Sequence, residues 1–510
     1  MYRAAPGRRK ASAALVLAAL TVAGWVAGGD TAGARSTTVR AAVQKGPPGP
    51  STPAGFLGLS FEYSAVPAYA GSAAALNPVL VQLIRNLTPG QTPVLRIGGD
   101  STDQTWWPVR GAARPGVVSY TLTPAWLQTT AALARATDAK LILGINLAIN
   151  NPSLAAAEAR ALLGGIGRSS IAALELGNEP DVYQTYPAYR DARGEVVHVR
   201  GRGYDFADYL KQYSAVRRAL PRLPIAGPAL GGAGWISQLG RFVADEPGLR
   251  LVTLHLYPLL CFASPGSQLY PTIEHLLSDA STTGLAHSAE APASFAHAHG
   301  LELRVDELNS STCGGKLGVS NTFASALWVL DTLFALDQDG VDGVNIHTFP
   351  TARYAPFSFT DTGGQWSASV LPEYYGLVMF SQAAPPGSRI LPVRTVPAGP
   401  VKVWATVAGD KTDRVVLINE SASPELVLLS APRGTAGPAM SEQLLAPSLS
   451  ATSGVTLGGQ TFDPTTGMLT GAPQATTVAP SNGAYAITLP PASATSLDWP
   501  ASSARAIPTP

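Results

Sequence analysis

Leu174-Glu175-Leu176-Gly177-Asn178-Glu179-Pro180-Asp181 is the stretch on which the reading of this chain turns. An apolar run ends abruptly in an Asn-Glu pair, and Pro180 stops it. A buried parallel strand has this pattern, with Asn178 and Glu179 at its carboxyl end. In a (β/α)8 barrel that end faces the functional mouth. A second run, Val305-Asp306-Glu307-Leu308-Asn309-Ser310, also ends in a carboxylate.

Outward from these two runs, apolar strands alternate with amphipathic helices. Strands are expected at 56–62, 94–97, 140–145, 173–176, 224–226, 251–257, 301–307 and 343–347. Helices are expected at 77–86, 124–137, 153–163, 205–220, 235–244, 288–299, 322–337 and 372–384. Strands interleaved with helices in this way predict an α/β fold, a (β/α)8 TIM barrel over residues 55–384. A doubly wound sheet is the alternative, but no Gly-rich phosphate turn follows the first strand. After Ala383-Ala384-Pro385-Pro386-Gly387 the helical period stops. Short strand-like runs separated by Gly, Pro, Ser and Asn follow, which predicts an appended antiparallel β-sandwich over 388–510. Residues 35–54 read as a Thr/Val-rich strand and a Pro-rich linker. A lone strand must pair somewhere, and the C-terminal β-domain is the expected partner.

The chain has 510 residues, 46% of them hydrophobic and 14% charged, with a formal charge of +1. The only tight basic cluster is Arg8-Arg9-Lys10, which argues against a nucleic-acid partner. That cluster precedes an apolar run from Ala11 to Ala27 and the small-residue site Ala32-Gly33-Ala34. Residues 1–34 therefore read as a secretory signal peptide, with secretion and no membrane span after cleavage. A membrane anchor is the competing reading, but the apolar run is short for one. Two cysteines suit an exported chain, and Cys261 and Cys313 each fall just past a predicted strand end. A disulfide joining those two loops is expected.

Glu179 alone could be an acid capping a helix. Glu307, ending a second strand, changes the reading. Two carboxyl groups about 5 Å apart, one ionised and one holding its proton, can break a glycosidic bond with retention of configuration. The ionised member needs donors, and Arg96 and Tyr257 fall at strand ends where they can supply them. Either could instead be structural: an Arg satisfying carbonyls, a Tyr packing the mouth. Asn178 could grip a hydroxyl beside the reacting carbon. His255 and His347 also end strands, and a structural role suits both. No His, Asp or Glu set has metal-ligand spacing, and no P-loop, dinucleotide fingerprint or G-x-S-x-G elbow occurs. No cofactor or metal is expected.

Several stretches resemble glycoside hydrolase family 79, the β-glucuronidase and heparanase family. They are Phe56-Leu57-Gly58-Leu59-Ser60-Phe61-Glu62, Leu95-Arg96-Ile97-Gly98-Gly99-Asp100-Ser101-Thr102-Asp103, Gly177-Asn178-Glu179-Pro180 and His255-Leu256-Tyr257-Pro258. Glu307-Leu308-Asn309-Ser310 with Gly314-Gly315, Ser320-Asn321-Thr322-Phe323-Ala324 and Pro372-Glu373-Tyr374-Tyr375-Gly376 continue the match in order. The resemblance implies Glu179 as acid/base and Glu307 as nucleophile. It implies Glu62 and Asn178 as sugar-hydroxyl ligands and Tyr257 as a partner of the nucleophile; Asp103 and His255 are expected at the site as substrate-binding or supporting residues. It also implies that backbone N–H groups at Gly314 and Gly315, with Tyr354, hold a uronic carboxylate. The expected substrate is thus a carbohydrate bearing a uronic acid. No basic cluster suited to a sulfated polymer is evident. A barrel glycosidase for a neutral pentose, or a non-catalytic carbohydrate-binding protein, would share much of this sequence pattern.

Overall fold

The computed structural model describes residues 38–430 and 437–499. The expected signal peptide, residues 1–34, lies outside them. Eight parallel strands close into a barrel: β2 (Leu57–Glu62), β3 (Val94–Gly98), β4 (Lys140–Ile145), β5 (Ile171–Leu176), β6 (Ile225–Leu230), β7 (Leu249–Leu256), β8 (Glu302–Leu308) and β9 (Gly343–Thr348). Each pairs with its neighbours in sequence, and β9 closes onto β2 with Ile346 opposite Leu59. β1 (Thr38–Val43) precedes the barrel.

Local chemistry starts the helices cleanly. Asn77, Thr123 and Asn151 each cap a helix with a side-chain oxygen, and each is followed by a proline in the first turn. A proline there lacks only an N–H that would go unpaired, and each cap contributes about 1 kcal/mol. Two helices, Phe323–Gln338 and Pro372–Ala383, are buried on nearly every face. A helix that is apolar all round needs cover on all sides. Here the barrel covers one side and the C-terminal β-domain the other: Trp404 of that domain stacks on Phe334 at 5.6 Å and donates its indole N–H to Asp331. Among the described residues, no helix is long and apolar enough to cross a membrane.

The C-terminal domain is two sheets. Its strands are β10 (Arg389–Leu391), β11 (Val393–Val396), β12 (Val401–Val407), β13 (Asp413–Asn419), β14 (Glu425–Ser430), β15 (Ala439–Leu445), β16 (Thr456–Leu457), β17 (Thr476–Val478), β18 (Ala484–Leu489) and β19 (Ser493–Trp499). One sheet runs β11-β1-β14-β18, the other β10-β12-β13-β19-β15-β16 with β17 beside β15. Val39, Ala41, Leu417, Val427, Tyr485 and Leu497 fill the space between them. β1 lies antiparallel to β11 but parallel to β14, so the sandwich is antiparallel except at this insertion.

β6 is longer than the sequence suggests. The expected strand, 224–226, stops short of Pro228, which cannot donate to a ladder. The strand continues past it through a register shift, with Pro228 opposite Thr253 and Leu230 opposite Leu254. Ala229 is the extra residue, in left-handed backbone at φ 53°.

Candidate active site

The carboxyl ends of the barrel strands bring together residues scattered from 60 to 354. The centre is Arg96, fully buried on β3. Its Nε donates to Glu175 at 2.7 Å, Nη1 to Glu307 at 2.6 Å and Nη2 to Asn178 Oδ1 at 2.9 Å. One planar fork thus fixes three side chains from two other strands, a task for which a lysine has the wrong geometry. Because Arg96 occupies the Asn178 carbonyl, the Asn178 amide nitrogen is left to serve as a donor.

Glu307 receives a second bond, from the Tyr257 hydroxyl to Oε1 at 2.8 Å. Burial would raise this carboxyl, but the neighbouring His347, His255 and Arg96 charges and the Tyr257 bond outweigh it and hold it well below the usual carboxylate range. Glu307 is therefore built to stay ionised.

Glu179 has a different setting. It sits in left-handed backbone, φ 49° and ψ 54°, which an L-residue adopts only when its surroundings impose it. Its N–H donates to the carbonyl of Ala229, the residue displaced by the β6 register shift. A side chain at Gly231 would strike the Glu179 carboxyl within 2.8 Å, so a glycine is required there. Its Oε1 lies 2.9 Å from His255 Nδ1, and no cation of fixed charge touches it among the described residues. Ligating atoms of Glu179, His255 and Glu307 all lie within 4.8 Å of one another. That limit is consistent with the roughly 5 Å of a retaining carboxylate pair. Three such atoms could in principle hold a divalent cation. Both Glu307 oxygens are already committed to Arg96 and Tyr257, so the donor set suits a carboxylate pair better.

The other expected residues divide by position. Glu62 ends β2, and its Oε2 accepts from the Ser101 N–H at 2.8 Å and from the Ser101 hydroxyl. Its Oε1 is 3.4 Å from His347 Nε2. Asp103 is a support and not a wall of the cleft. It is buried, accepting from the N–H groups of Leu147, Ala148 and Asn178 at 3.0 Å each and from the Tyr183 hydroxyl, so it fixes the Asn178 backbone. Tyr354 is buried beside Tyr257 and shares a hydroxyl bond with it. Cys261 and Cys313 are joined by a disulfide. Cys313, Gly314 and Gly315 are three successive residues at positive φ, a path that favours glycine. The two glycines are not equivalent. Gly315 donates its N–H to the Thr312 carbonyl at 3.2 Å, closing a turn. Among the described residues the Gly314 N–H has no intramolecular acceptor. The corner between it and Tyr354 is the place where an anion could be held by neutral donors.

Sequence reasoning missed part of the site. Ser60, Glu175 and Asp306 lie directly beneath the carboxylates with His347, which the sequence offered only as structural: Ser60 accepts from Arg96 and bonds His347, and Asp306 lies 3.2 Å from Arg96. Polar residues inside otherwise apolar strands were the available signal. Asp100 was quoted in a motif without a role. It opens to the cleft, bonds Tyr186, and is pushed up to about 8 by its concave surroundings and by the charges of Glu62, Glu179 and Glu307.

Comparison with known proteins follows the same lines. The profile of the glycosyl hydrolase family 79 C-terminal β domain matches residues 403–495. A β-glucuronidase of Neurospora crassa is 25% identical over 431 residues, 72% of this chain and 73% of that protein. A β-glucuronidase of Aspergillus niger is 25% identical over 401 residues, 71% of each. Among solved structures, a 4-O-α-L-rhamnosyl-β-D-glucuronidase from Fusarium oxysporum superposes with a TM-score of 0.68, covering 90% of this chain and all of that one at 20% identity. A family 51 arabinofuranosidase from Xanthomonas axonopodis pv. citri gives 0.62 at 14% identity over 90% of this chain and 99% of its own, which speaks to the shared fold. The matched C-terminal domain and these relatives support assignment of the chain to glycoside hydrolase family 79, and the chain, a barrel carrying two facing glutamates, is a glycoside hydrolase.

Proposed function

We propose that the protein is a secreted retaining β-glucuronidase, releasing terminal β-glucuronic acid, with or without a 4-O-methyl group, from glycans or small glucuronides. The observation that carries this reading is the pairing of Glu307, ionised between Arg96 and Tyr257, with Glu179 within 4.8 Å. The two curated relatives, both named β-glucuronidase, support the substrate class.

In this reading Glu307 attacks the anomeric carbon as Glu179 delivers its proton to the leaving oxygen. The C–O bond to the aglycone breaks and a glycosyl ester forms on Glu307. Glu179, now ionised, takes a proton from water, and the hydroxide displaces Glu307 with a second inversion. Asn178 donates to the hydroxyl next to the reacting carbon, and Glu62 accepts from another. The Gly314 N–H and Tyr354 hold the uronic carboxylate without a cation that would compete with Arg96 for Glu307. Residues 1–34 would direct export and be removed.

A panel of aryl β-glucuronide, β-xyloside and α-arabinofuranoside tests the substrate class. Hydrolysis of the glucuronide alone is the expected result, and preference for a neutral pentoside overturns it. Glu307→Gln should lower glucuronide turnover by about a thousandfold or more. An unchanged rate would remove Glu307 from the role of nucleophile.

A further inference from the structure

Between the two glutamates lies a buried carboxyl that the mechanism above does not use. Asp306 is fully buried on β8, and Glu175, its neighbour, is equally buried on β5. Asp306 reaches the interior because β8 is irregular there. Val305 pairs with Leu254 and Glu307 with His255, so Asp306 is an extra residue with no partner on β7. On the other edge the register also breaks between Val305 and Leu308. In a regular strand two consecutive side chains point to opposite faces, whereas a bulge re-aims one of them. Asp306 and Glu307 thus both face the barrel interior.

The groups around Asp306 come from four strands. The Glu175 carboxyl on β5 lies beside it, close enough for one proton to be shared between the two. Arg96 Nε on β3 is 3.2 Å from Oδ2. His255 Nε2 on β7 is 3.7 Å from Oδ1. On β8 itself, Glu307 is adjacent and Arg304 acts at longer range while bonding Asn345 and the carbonyl of Gly55. Three carboxyls, Glu175, Asp306 and Glu307, therefore share the one Arg96 guanidinium.

Treated as an ionised acceptor, Asp306 leaves this cluster badly paired. Both its oxygens, Glu175 Oε1 and His255 Nε2 lack a hydrogen-bond partner. Two carboxylates in contact in a dry interior cannot both ionise, and one proton between them supplies the missing donor. Burial and the Glu175 charge raise Asp306 well above the ordinary range, while Glu175 is lowered: burial opposes that, but Arg96 and the bond from Asp306 overcome it.

We propose that Asp306 is a positioning residue that carries a proton of its own, donates it to Glu175, and so leaves the Arg96 guanidinium directed at Glu307 while its other oxygen faces His255 beneath Glu179. An ionised Asp306 would compete with Glu307 for Arg96, whereas a neutral one leaves the guanidinium to Glu307. The inference rests on the assignment of Glu307 as nucleophile.

Two variants test it. Asp306→Asn keeps a neutral donor: kcat/KM on an aryl β-glucuronide should stay within about threefold of wild type, with the acid limb of its pH profile unmoved. Asp306→Val removes the donor. Glu175 then draws Arg96 away from Glu307, so the acid limb should move up by about one pH unit and kcat fall by about tenfold or more. A folded Asp306→Asn variant that loses about a hundredfold, or an unmoved limb in Asp306→Val, overturns the proposal. Thermal unfolding supplies a measurement that needs no substrate. A side chain protonated in the folded protein and ionised in the unfolded one loses its stability contribution as pH rises. The Tm of Asp306→Asn relative to wild type should therefore rise between about pH 4 and about pH 7. A flat difference, or failure of this neutral isostere to fold, also overturns the proposal. If no glycoside is hydrolysed but the Tm difference rises, the proton on Asp306 stands and the function above falls.

Discussion

Nη1 of Arg96 stands 2.6 Å from Oε2 of Glu307 while Nη2 of the same guanidinium stands 2.9 Å from Asn178. The ionised glutamate and the amide expected to grip the sugar are therefore set by one rigid group. Arg96→Lys keeps the charge but loses the fork. We expect kcat/KM to fall by about 10²- to 10³-fold with the fold retained by circular dichroism. A loss smaller than about fivefold would mean that charge alone suffices.

Glu179 and the leaving group give a second test. An acid matters most where the departing oxygen is a poor leaving group. Glu179→Ala should cost about 10²- to 10⁴-fold on an alkyl glucuronide and far less on the bond-breaking step for an activated aryl glucuronide. Equal losses on the two would argue against proton donation by Glu179. Pre-steady-state kinetics separates this step from release of the sugar.

The Cys261–Cys313 bond spans 52 residues of sequence and ends one residue before Gly314. Closing a loop of that length constrains the unfolded chain by about 4 kcal/mol in the chain-entropy account. The Cys261→Ser/Cys313→Ser protein should show a lower Tm and a raised KM for glucuronide, with kcat little changed. A neutral pyranoside of the same aglycone, measured as a competitive inhibitor, should bind both proteins equally, since in the proposed reading only the carboxylate calls on the Gly314 loop.

Asp337 makes a pH prediction away from the site. The Thr52 hydroxyl donates to it at 2.6 Å, tying the segment before the barrel to the helix Phe323–Gln338. Burial raises its carboxyl to about 7, against 3.8 for the free group. The folded protein then holds this proton at pH values where the unfolded chain has lost it. Its stabilising contribution is complete below about pH 4 and is lost as pH rises through about 7, at up to about 1.4 kcal/mol per unit. Asp337→Asn removes that slope. Its Tm relative to wild type should be higher at about pH 7.5 than at about pH 4. An unchanged difference would place the ionisation of Asp337 in the ordinary range.

The barrel was legible because its information is local. Each strand is a short apolar run ending in a polar residue, and each helix begins at a cap followed by proline, as at Asn77-Pro78 and Asn151-Pro152. Those signals need no knowledge of what lies across the sheet. The sequence bounded one strand at 224–226, whereas it runs on through Pro228 to Leu230 by a register shift and a positive-φ alanine.

By itself, the sequence determined the alternation of strands and helices and the residues placed at strand ends. Glu179, Glu307, Arg96 and Tyr257 could be singled out because a parallel barrel sends all strand ends to one mouth. Only the tertiary structure decided which partner each of them meets. His255 could have been structural, and it lies against Glu179. Gly315 was expected as an anion donor, and its N–H closes a turn instead. Asp306, adjacent to Glu307, should by alternation point outward, and an irregularity in β8 turns it inward beside Glu307. Alternation and capping are written along the chain, whereas bulges and shared protons depend on neighbouring strands that are far away in sequence.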